Sequence, residues 1–241
     1  MQYFDTVLIG SGYSSVGYAT ASKGALILEE QEIADTHFYL PLRSFRYTPY
    51  TPKTDEGRTL EGIFRALDLF SEERQNTNGF ECALCRYLEE NPLPILLKSR
   101  VVRTEETADG YLLTVSTNEG LLRVSCRRVI DTRATGARRL TVVITAQERA
   151  AAVRVAEGTG WELEDGFYPG QYALHAPDTG LDENAVKPTV RATLSAFPDI
   201  RLLAIAPIYA HGGTGATLSD DDHSNPIAAF EAGYLLGKED A

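Results

Sequence analysis

The sequence has little sulfur and no long apolar run. Its 241 residues include three cysteines and one methionine. So few cysteines, in an odd number, do not make a disulfide framework and are typical of a reducing compartment. The apolar stretch at 202–206 is far shorter than the roughly 18 residues that a membrane-spanning helix needs. A disulfide-stabilised secreted domain is thereby excluded, and no membrane partner is expected.

Positively charged residues are also fewer than negatively charged ones. The chain has 23 lysines and arginines against 34 aspartates and glutamates, which gives a net charge of −11. Such acidity opposes binding to nucleic acid or to an anionic membrane. The first apolar strand begins at residue 4 and leaves no room for a signal peptide, so we expect a cytoplasmic location. We predict no metal site.

The first thirty residues carry the strongest local pattern. In order, they contain an apolar run, a glycine turn, a stretch of small residues, a second apolar run and an acid: 4–9, Gly10-Ser11-Gly12, 14–22, 25–28 and Glu29. This order is typical of the first half of a dinucleotide-binding βαβ unit. Gly10 lets the chain turn sharply, and Gly12 has no Cβ to keep the backbone away from a pyrophosphate. The helix that begins near Tyr13 would direct its N–H groups and its positive end at those phosphates.

Two positions refine this interpretation. Glu29 follows Gly10 by 19 residues, close to the roughly 20 expected for the acid that accepts hydrogen bonds from ribose hydroxyls. A carboxylate there repels a 2′-phosphate and disfavours NADP. Ser15 stands where the G-x-G-x-x-G pattern has its third glycine, and its small side chain still permits helix–strand packing. The alternative, a purely structural glycine turn, is disfavoured by the strand, helix and acid around it.

Apolar periodicity and turn residues predict the later elements. Helical spacing marks 59–70 and 78–90. Short strands over 95–126, with tight turns at 109–110 and 118–120, predict an antiparallel meander. We further predict strands at 128–131, 140–144 and 201–206, the last one buried, and helices at 146–157, 188–197 and 225–237.

A CxxC pair lies within the second predicted helix. Cys82 and Cys85 invite a redox interpretation. Redox pairs, however, are found at a helix N-terminus, where the thiolate is stabilised. We therefore interpret both cysteines as packing residues.

Three separated segments together resemble a known family. They are the glycine unit with Glu29, the segment from Val129-Ile130-Asp131 to Ala134-Thr135-Gly136, and the strand at 202–205 with its glycine loop and the helix at 225–237. Their order resembles the glutathione-reductase-type FAD-dependent oxidoreductases, in which a V-I-D-A-T-G segment follows the meander and returns to the FAD. Ala206-Pro207 departs from the usual G-D after the last strand, and no second G-x-G-x-x-G is present.

The resemblance implies a non-covalent FAD and a set of residues around it. The implied cofactor-binding residues are Ile9, Gly10, Ser11, Gly12, Tyr13, Ser14, Ser15, Glu29, Glu30, Val102, Thr135, Gly136, Gly213, Asn225 and Pro226. His211, which opens the glycine loop, is the implied catalytic residue nearest the reacting face of the flavin, where histidine can move a proton. The alternative for His211 is a structural role in the loop. His175 and Tyr172 are further candidates for contact with substrate.

The whole sequence therefore predicts an α/β fold with a Rossmann-like parallel sheet, an antiparallel β-meander and a small, reduced substrate or cap region. The FAD-binding domain would comprise 1–36, 76–136 and 200–241, and the cap region 37–75 and 137–199. The predicted activity is hydride transfer between a small organic substrate and FAD. Two alternatives stay open: a non-catalytic FAD-binding subunit completed by a partner chain or a homo-oligomer, and a domain that binds only NAD.

Overall fold

The computed structural model describes residues 2–35, 38–39, 42, 44–133, 137–177, 183–207, 209–211, 218 and 224–241. The strands are β1 (Gln2–Ile9), β2 (Ala25–Leu28), β3 (Ile95–Leu96), β4 (Arg100–Thr107), β5 (Gly110–Thr117), β6 (Gly120–Asp131), β7 (Ala137–Ala146), β8 (Glu162–Asp165), β9 (Gln171–Pro177), β10 (Ile200–Ile205) and β11 (Tyr209–His211). The α-helices are α1 (Tyr13–Ala21), α2 (Asp55–Ala66), α3 (Phe80–Glu90), α4 (Arg149–Thr159), α5 (Glu183–Leu194) and α6 (Pro226–Glu239).

The first sheet joins a parallel part to a meander. Its strand order is β3-β2-β1-β6-β5-β4. β3, β2, β1 and β6 run parallel, while β4, β5 and β6 pair antiparallel. Gly110 and Gly120 make the two tight turns with φ angles of 134° and 120°, which side chains rarely permit. The predicted α/β class, with a Rossmann-like parallel sheet and an antiparallel meander, is confirmed.

β6 differs from its prediction. The sequence suggests two strands, 121–126 and 128–131, but the structure has one strand of 12 residues. Its first part pairs with β5, and residues 124–131 pair with β1. One strand can serve both partners because each edge of its backbone hydrogen-bonds a different neighbour. The meander is therefore fixed directly to the central strand of the parallel part.

Helices cover one face of the parallel strands β1 and β2, and apolar residues of the meander pack against their other face. Apolar side chains of β1 and β2 alternate between two separate clusters, as the period of a strand requires. Leu8 and Ile27 join the cluster that contains the residues of α1, α2, α3 and α6. Val7, Leu26 and Leu28 join the cluster with the apolar residues of β5 and β6.

The contact between α1 and α6 is made by backbone rather than by side chains. A Cβ added to Gly17 would overlap the carbonyl oxygen of Phe230, and one added to Gly233 would overlap that of Ser14. Gly237 lies in the same way against Tyr18, where a Cβ would be 2.5 Å from its carbonyl oxygen. Because Ser14 faces Gly233 and Tyr18 faces Gly237, the two helices run in the same direction.

The second sheet is antiparallel throughout. Its order is β10-β7-β9-β8, and β11 also pairs with β7. α4 and α5 pack on one face through Ala152, Val155 and Val190. Leu42 and Phe45 pack on the other face.

β10 corrects one prediction. We expected 201–206 to be a buried strand of the cofactor-binding domain. It instead pairs with β7 in the second sheet, and Leu203 is 55% exposed. The domain limits given above are not otherwise tested. In the described part of the chain, no helix is long and apolar enough to cross a membrane.

Candidate functional site

The glycine turn lies where three parallel strands end together. Ile9 is paired with Leu28 on one side and with Asp131 on the other. Gly10 follows with a φ of 108°, and its N–H donates to Leu28 O at 2.8 Å. Gly12 is the N-cap residue of α1 and has no side chain to cap the helix. Since the first N–H groups of an α-helix have no partner within the helix, this edge is suited to an anion.

Glu29 braces the turn from the end of β2. Its side chain is 4% exposed. Oε2 accepts from the N–H of Ser11 at 2.9 Å and from its Oγ at 2.8 Å, and Oε1 accepts from Gln31 N at 2.9 Å. The Ser11 N–H therefore points at Glu29, and the carboxylate fixes the shape of the turn.

The side chains at the start of α1 hold the fold together. Tyr13 is fully buried among aromatic rings, and its hydroxyl donates to Phe80 O at 2.7 Å. Ser15 Oγ lies 2.9 Å from Thr132 Oγ1, which also bonds Ile9 O at 3.0 Å. Ser15 thus ties α1 to the end of β6, in the packing position that we predicted for it. Any cofactor contact from Tyr13 or Ser15 would have to come from backbone.

The N-terminus of α6 points in the same direction as that of α1. Asn225 caps it: Oδ1 accepts from Ile227 N at 2.9 Å, while Nδ2 donates to Thr48 O at 2.9 Å. Pro226 occupies the first turn of α6, where its missing N–H costs nothing. Seven residues separate Pro226 from Gly233, so α6 begins about 10 Å beyond the level of Ser14 at 1.5 Å per residue.

Two further predicted residues lie around the turn. Glu30 is ion-paired with Arg133, with Oε1 and Nη1 2.8 Å apart. Val102 is 53% exposed on β4, three residues after Ser99, whose N–H donates to Glu29 O at 2.8 Å. No described contact joins Val102 to the turn itself.

His211 is the last residue of β11. Its backbone is paired with Ala137 on β7. Thr135, Gly136 and Gly213 lie outside the described residues. The prediction for the His211 side chain is not tested.

His175 belongs to a buried cluster that the sequence did not reveal. Its Nε2 lies 2.9 Å from Glu164 Oε2, and its Nδ1 lies 3.1 Å from Thr141 Oγ1. Glu164 Oε1 accepts from Ser44 Oγ at 2.8 Å and from Arg46 N at 2.7 Å. Burial raises the pKa of Glu164, but these hydrogen bonds lower it by more, so the net pKa lies below the usual value. The pair fastens the segment at 44–46 to the second sheet.

The CxxC cysteines are not packing residues. Cys82 and Cys85 are both exposed, so our interpretation of their burial was wrong. The pKa of Cys85 is raised, first by partial desolvation and then by the neighbouring Glu81. A raised pKa disfavours the thiolate that redox exchange needs. The geometry thus gives this pair no redox advantage.

Comparison with known proteins gives a structural likeness alone. No family model matches the chain, and no curated protein matches it. The fold is similar to that of p-nitrophenol 4-monooxygenase PnpA from Pseudomonas putida, at 11% identity and a TM-score of 0.60, over 100% of this chain and 82% of that one. It is also similar to OxyS anhydrotetracycline hydroxylase from Streptomyces rimosus, at 14% identity and a TM-score of 0.62, over 99% and 62% of the two chains.

A third similar structure contains a cofactor. Aklavinone-11 hydroxylase, in a ternary complex with FAD and aklavinone, is 11% identical with a TM-score of 0.53, over 98% of this chain and 62% of that one. At these identities the likeness establishes the fold and nothing further. The chain spans about three fifths of the length of two of these three proteins.

Proposed function

We propose that this chain is an FAD-dependent oxidoreductase. The observation that carries the proposal is the close parallel packing of α1 and α6, whose N-termini point in the same direction, with that of α6 about 10 Å further along. A diphosphate fits the first, because Gly12 leaves the end of α1 without a side-chain cap. The second suits a ring that becomes negatively charged on reduction. The fold shared with a hydroxylase that binds FAD supports the same proposal.

Separate residues of the chain would then hold the cofactor, exclude water and handle the proton. FAD, when bound, supplies the acceptor for two electrons as hydride. Glu29 would keep the glycine turn in shape and present its carboxylate on the ribose side. The segment at 44–46, held by Glu164, would screen the space between the two sheets from water. His211 would hold or move the proton on a small organic substrate. The glutathione-reductase-type arrangement and the hydride mechanism are parts of this proposal.

An NAD-only domain and a non-catalytic FAD-binding subunit are the two alternatives, and different features bear on each. A domain that binds only NAD has no use for a meander fixed to β1 through β6. A non-catalytic subunit is favoured by Ala206-Pro207 in place of G-D. Bound-cofactor colour separates the first alternative from FAD binding. Reduction of the flavin in the isolated chain separates the second.

Titration with FAD tests the proposal. We expect the purified chain to carry or take up FAD without a covalent bond, with flavin absorbance and quenched fluorescence. Gly12→Val should abolish retention, since a branched side chain would occupy the path of the diphosphate. Exposed Gly62→Ala on α2 is the matched control and should retain FAD. A colourless chain that ignores FAD but binds NAD would overturn the proposal.

His211→Asn tests the catalytic part. The variant should keep FAD but slow flavin reduction by about a hundredfold, because a positioned acid–base group contributes 10²–10⁴. Stopped-flow absorbance measures the rate with any organic hydride donor that reduces the wild type. Dithionite, which needs no proton from the protein, is the control reductant. An unchanged rate with FAD bound would leave His211 with a structural role.

A further inference from the structure

Arg133 spans the mouth of the glycine turn. Its Nε and Nη2 donate to the two oxygens of Asp131 at 2.9 and 2.7 Å, and its Nη1 donates to Glu30 Oε1 at 2.8 Å. Glu30 follows β2, and Asp131 ends β6. Since β1 lies between β2 and β6 in the sheet, a link from one acid to the other crosses the end of β1.

The glycine of the turn confirms this position. A Cβ added to Gly10 would lie 3.3 Å from Cγ of Arg133 and 2.7 Å from Oγ1 of Thr132. The arginine side chain therefore runs directly over Gly10. Its guanidinium is nevertheless accessible, because the side chain is 48% exposed. A group that approaches the turn from solvent meets the guanidinium first.

Negative charge exceeds positive charge among the described residues at this edge of the sheet. Among the described residues around the turn, Glu29, Glu30 and Asp131 present three carboxylates against the single guanidinium of Arg133. A diphosphate brings further negative charge. Its approach becomes more favourable when a cation turns towards it, and a guanidinium can bind phosphate with two parallel hydrogen bonds.

We propose that Arg133 is a diphosphate-binding residue of the cofactor site. In the ligand-free protein, Asp131 and Glu30 hold its guanidinium beside the turn. When a dinucleotide enters, the guanidinium exchanges at least one carboxylate for the phosphates. The inference deepens the proposed function and rests on it for the identity of the ligand. Thr132 and Arg133 separate Val129-Ile130-Asp131 from Ala134-Thr135-Gly136, so the residue lies in the two-residue extension where this chain departs from the V-I-D-A-T-G segment.

Two substitutions should act in opposite directions. Arg133→Gln removes the cation and should raise the Kd for FAD by about tenfold or more, the low end for a lost hydrogen bond to a charged group. It should also make the salt dependence of binding shallower. Asp131→Asn frees the guanidinium and removes a competing charge, so it should lower the same Kd. Arg133→Lys keeps the charge and should fall between the wild type and Arg133→Gln.

The measurement is equilibrium titration of the ligand-free full chain with FAD, NAD and riboflavin, which lacks phosphate. Riboflavin affinity should be the same in all variants. Arg154→Gln is the matched control, because Arg154 lies on α4, is 54% exposed and is paired with Asp199 at 2.8 Å. Melting of the ligand-free variants shows that each is folded.

Opposite shifts for Arg133→Gln and Asp131→Asn support the inference. If both variants raise the Kd for FAD, or if the Kd of Arg133→Gln stays within twofold of the wild-type value, the ion pair has only a structural role and the inference fails. If the wild type binds NAD but not FAD, the proposed function fails, and the same opposite shifts with NAD would still support the role of Arg133. A wild type that binds neither dinucleotide overturns both.

Discussion

Gly17→Ala should lower the free energy of unfolding by about 3 kcal/mol, the upper part of the range for overpacking a core. The new Cβ would overlap the carbonyl oxygen of Phe230 and would lie 2.8 Å from its carbonyl carbon and 3.0 Å from Tyr234 N. All of these atoms are backbone atoms of α6. No rotamer change can relieve the overlap, so the two helices must move apart. Urea unfolding at constant m-value measures the loss.

Gly62→Ala is the control for the Gly17 experiment. It lies in the interior of α2, and a Cβ there would meet nothing within 4 Å. Alanine is the better helix former by about 0.5–1 kcal/mol, so this variant should be more stable than the wild type. If Gly17→Ala were stabilised by a similar amount, the close approach of α1 and α6 would be refuted.

The same helix contact matters for the site. α6 carries Asn225 at its N-cap, and its distance from the glycine turn is set by Gly233 against Ser14. Separation of the helices would displace the N-terminus of α6 from the edge where we expect the cofactor. Gly17→Ala is therefore expected to weaken FAD retention as well as stability, although Gly17 lies a full turn into α1.

Local sequence signals predicted the part of the fold that depends on neighbours in the chain. The turn at 10–12, the meander with Gly110 and Gly120, and the start of α6 at Asn225-Pro226 each have a residue type that only a few conformations accept. β10 shows what local sequence signals do not predict. Its apolar run at 202–205 suggests a buried strand, but whether it joins one sheet or the other depends on β7, more than fifty residues earlier.

Buried carboxylates were beyond the reach of sequence patterns. Glu164 lies in a strand of alternating acids and resembles a solvent-facing residue until Ser44 and His175 are placed around it. Arg133 is likewise not predicted, since nothing in the sequence shows that Glu30 and Asp131 lie on either side of β1 at one edge of the sheet. Ser44 and Glu164, like Glu30 and Arg133, are more than 100 residues apart in the chain and meet only through the topology of the fold.

Glu231 is the buried carboxylate with the largest expected contribution to stability. It lies on α6 with no exposed surface. Oε1 accepts from Thr54 N and Thr54 Oγ1, both at 2.6 Å, and from Lys53 N at 2.8 Å; Oε2 accepts from Tyr50 OH at 2.7 Å. Thr54 is also the N-cap of α2, where its side chain accepts from Gly57 N. One carboxylate therefore fixes the start of α2 to α6.

Glu231→Gln should cost about 3 kcal/mol of unfolding free energy near pH 7, the upper part of the range for lost hydrogen bonds to a charged group and for buried donors left without an acceptor. The amide replaces an acceptor oxygen with a donor that faces the N–H and O–H groups of Lys53, Thr54 and Tyr50. Glu239→Gln, an exposed change in the last turn of the same helix, should stay within about 0.5 kcal/mol of the wild type. Urea unfolding of the three proteins gives the comparison.

The pH dependence separates lost charge from lost packing. Burial raises the pKa of Glu231, but hydrogen bonds from Thr54, Lys53 and Tyr50 lower it by more, and the net pKa lies below the usual value. The group therefore stabilises the fold fully above its unfolded pKa, near 4.3, and this contribution disappears as the pH falls through the lower, folded pKa. The wild type should lose stability across that acid range more steeply than Glu231→Gln, so the difference between the two should narrow. A difference that is constant from pH 7 to pH 3 would show that Glu231 acts by its shape alone.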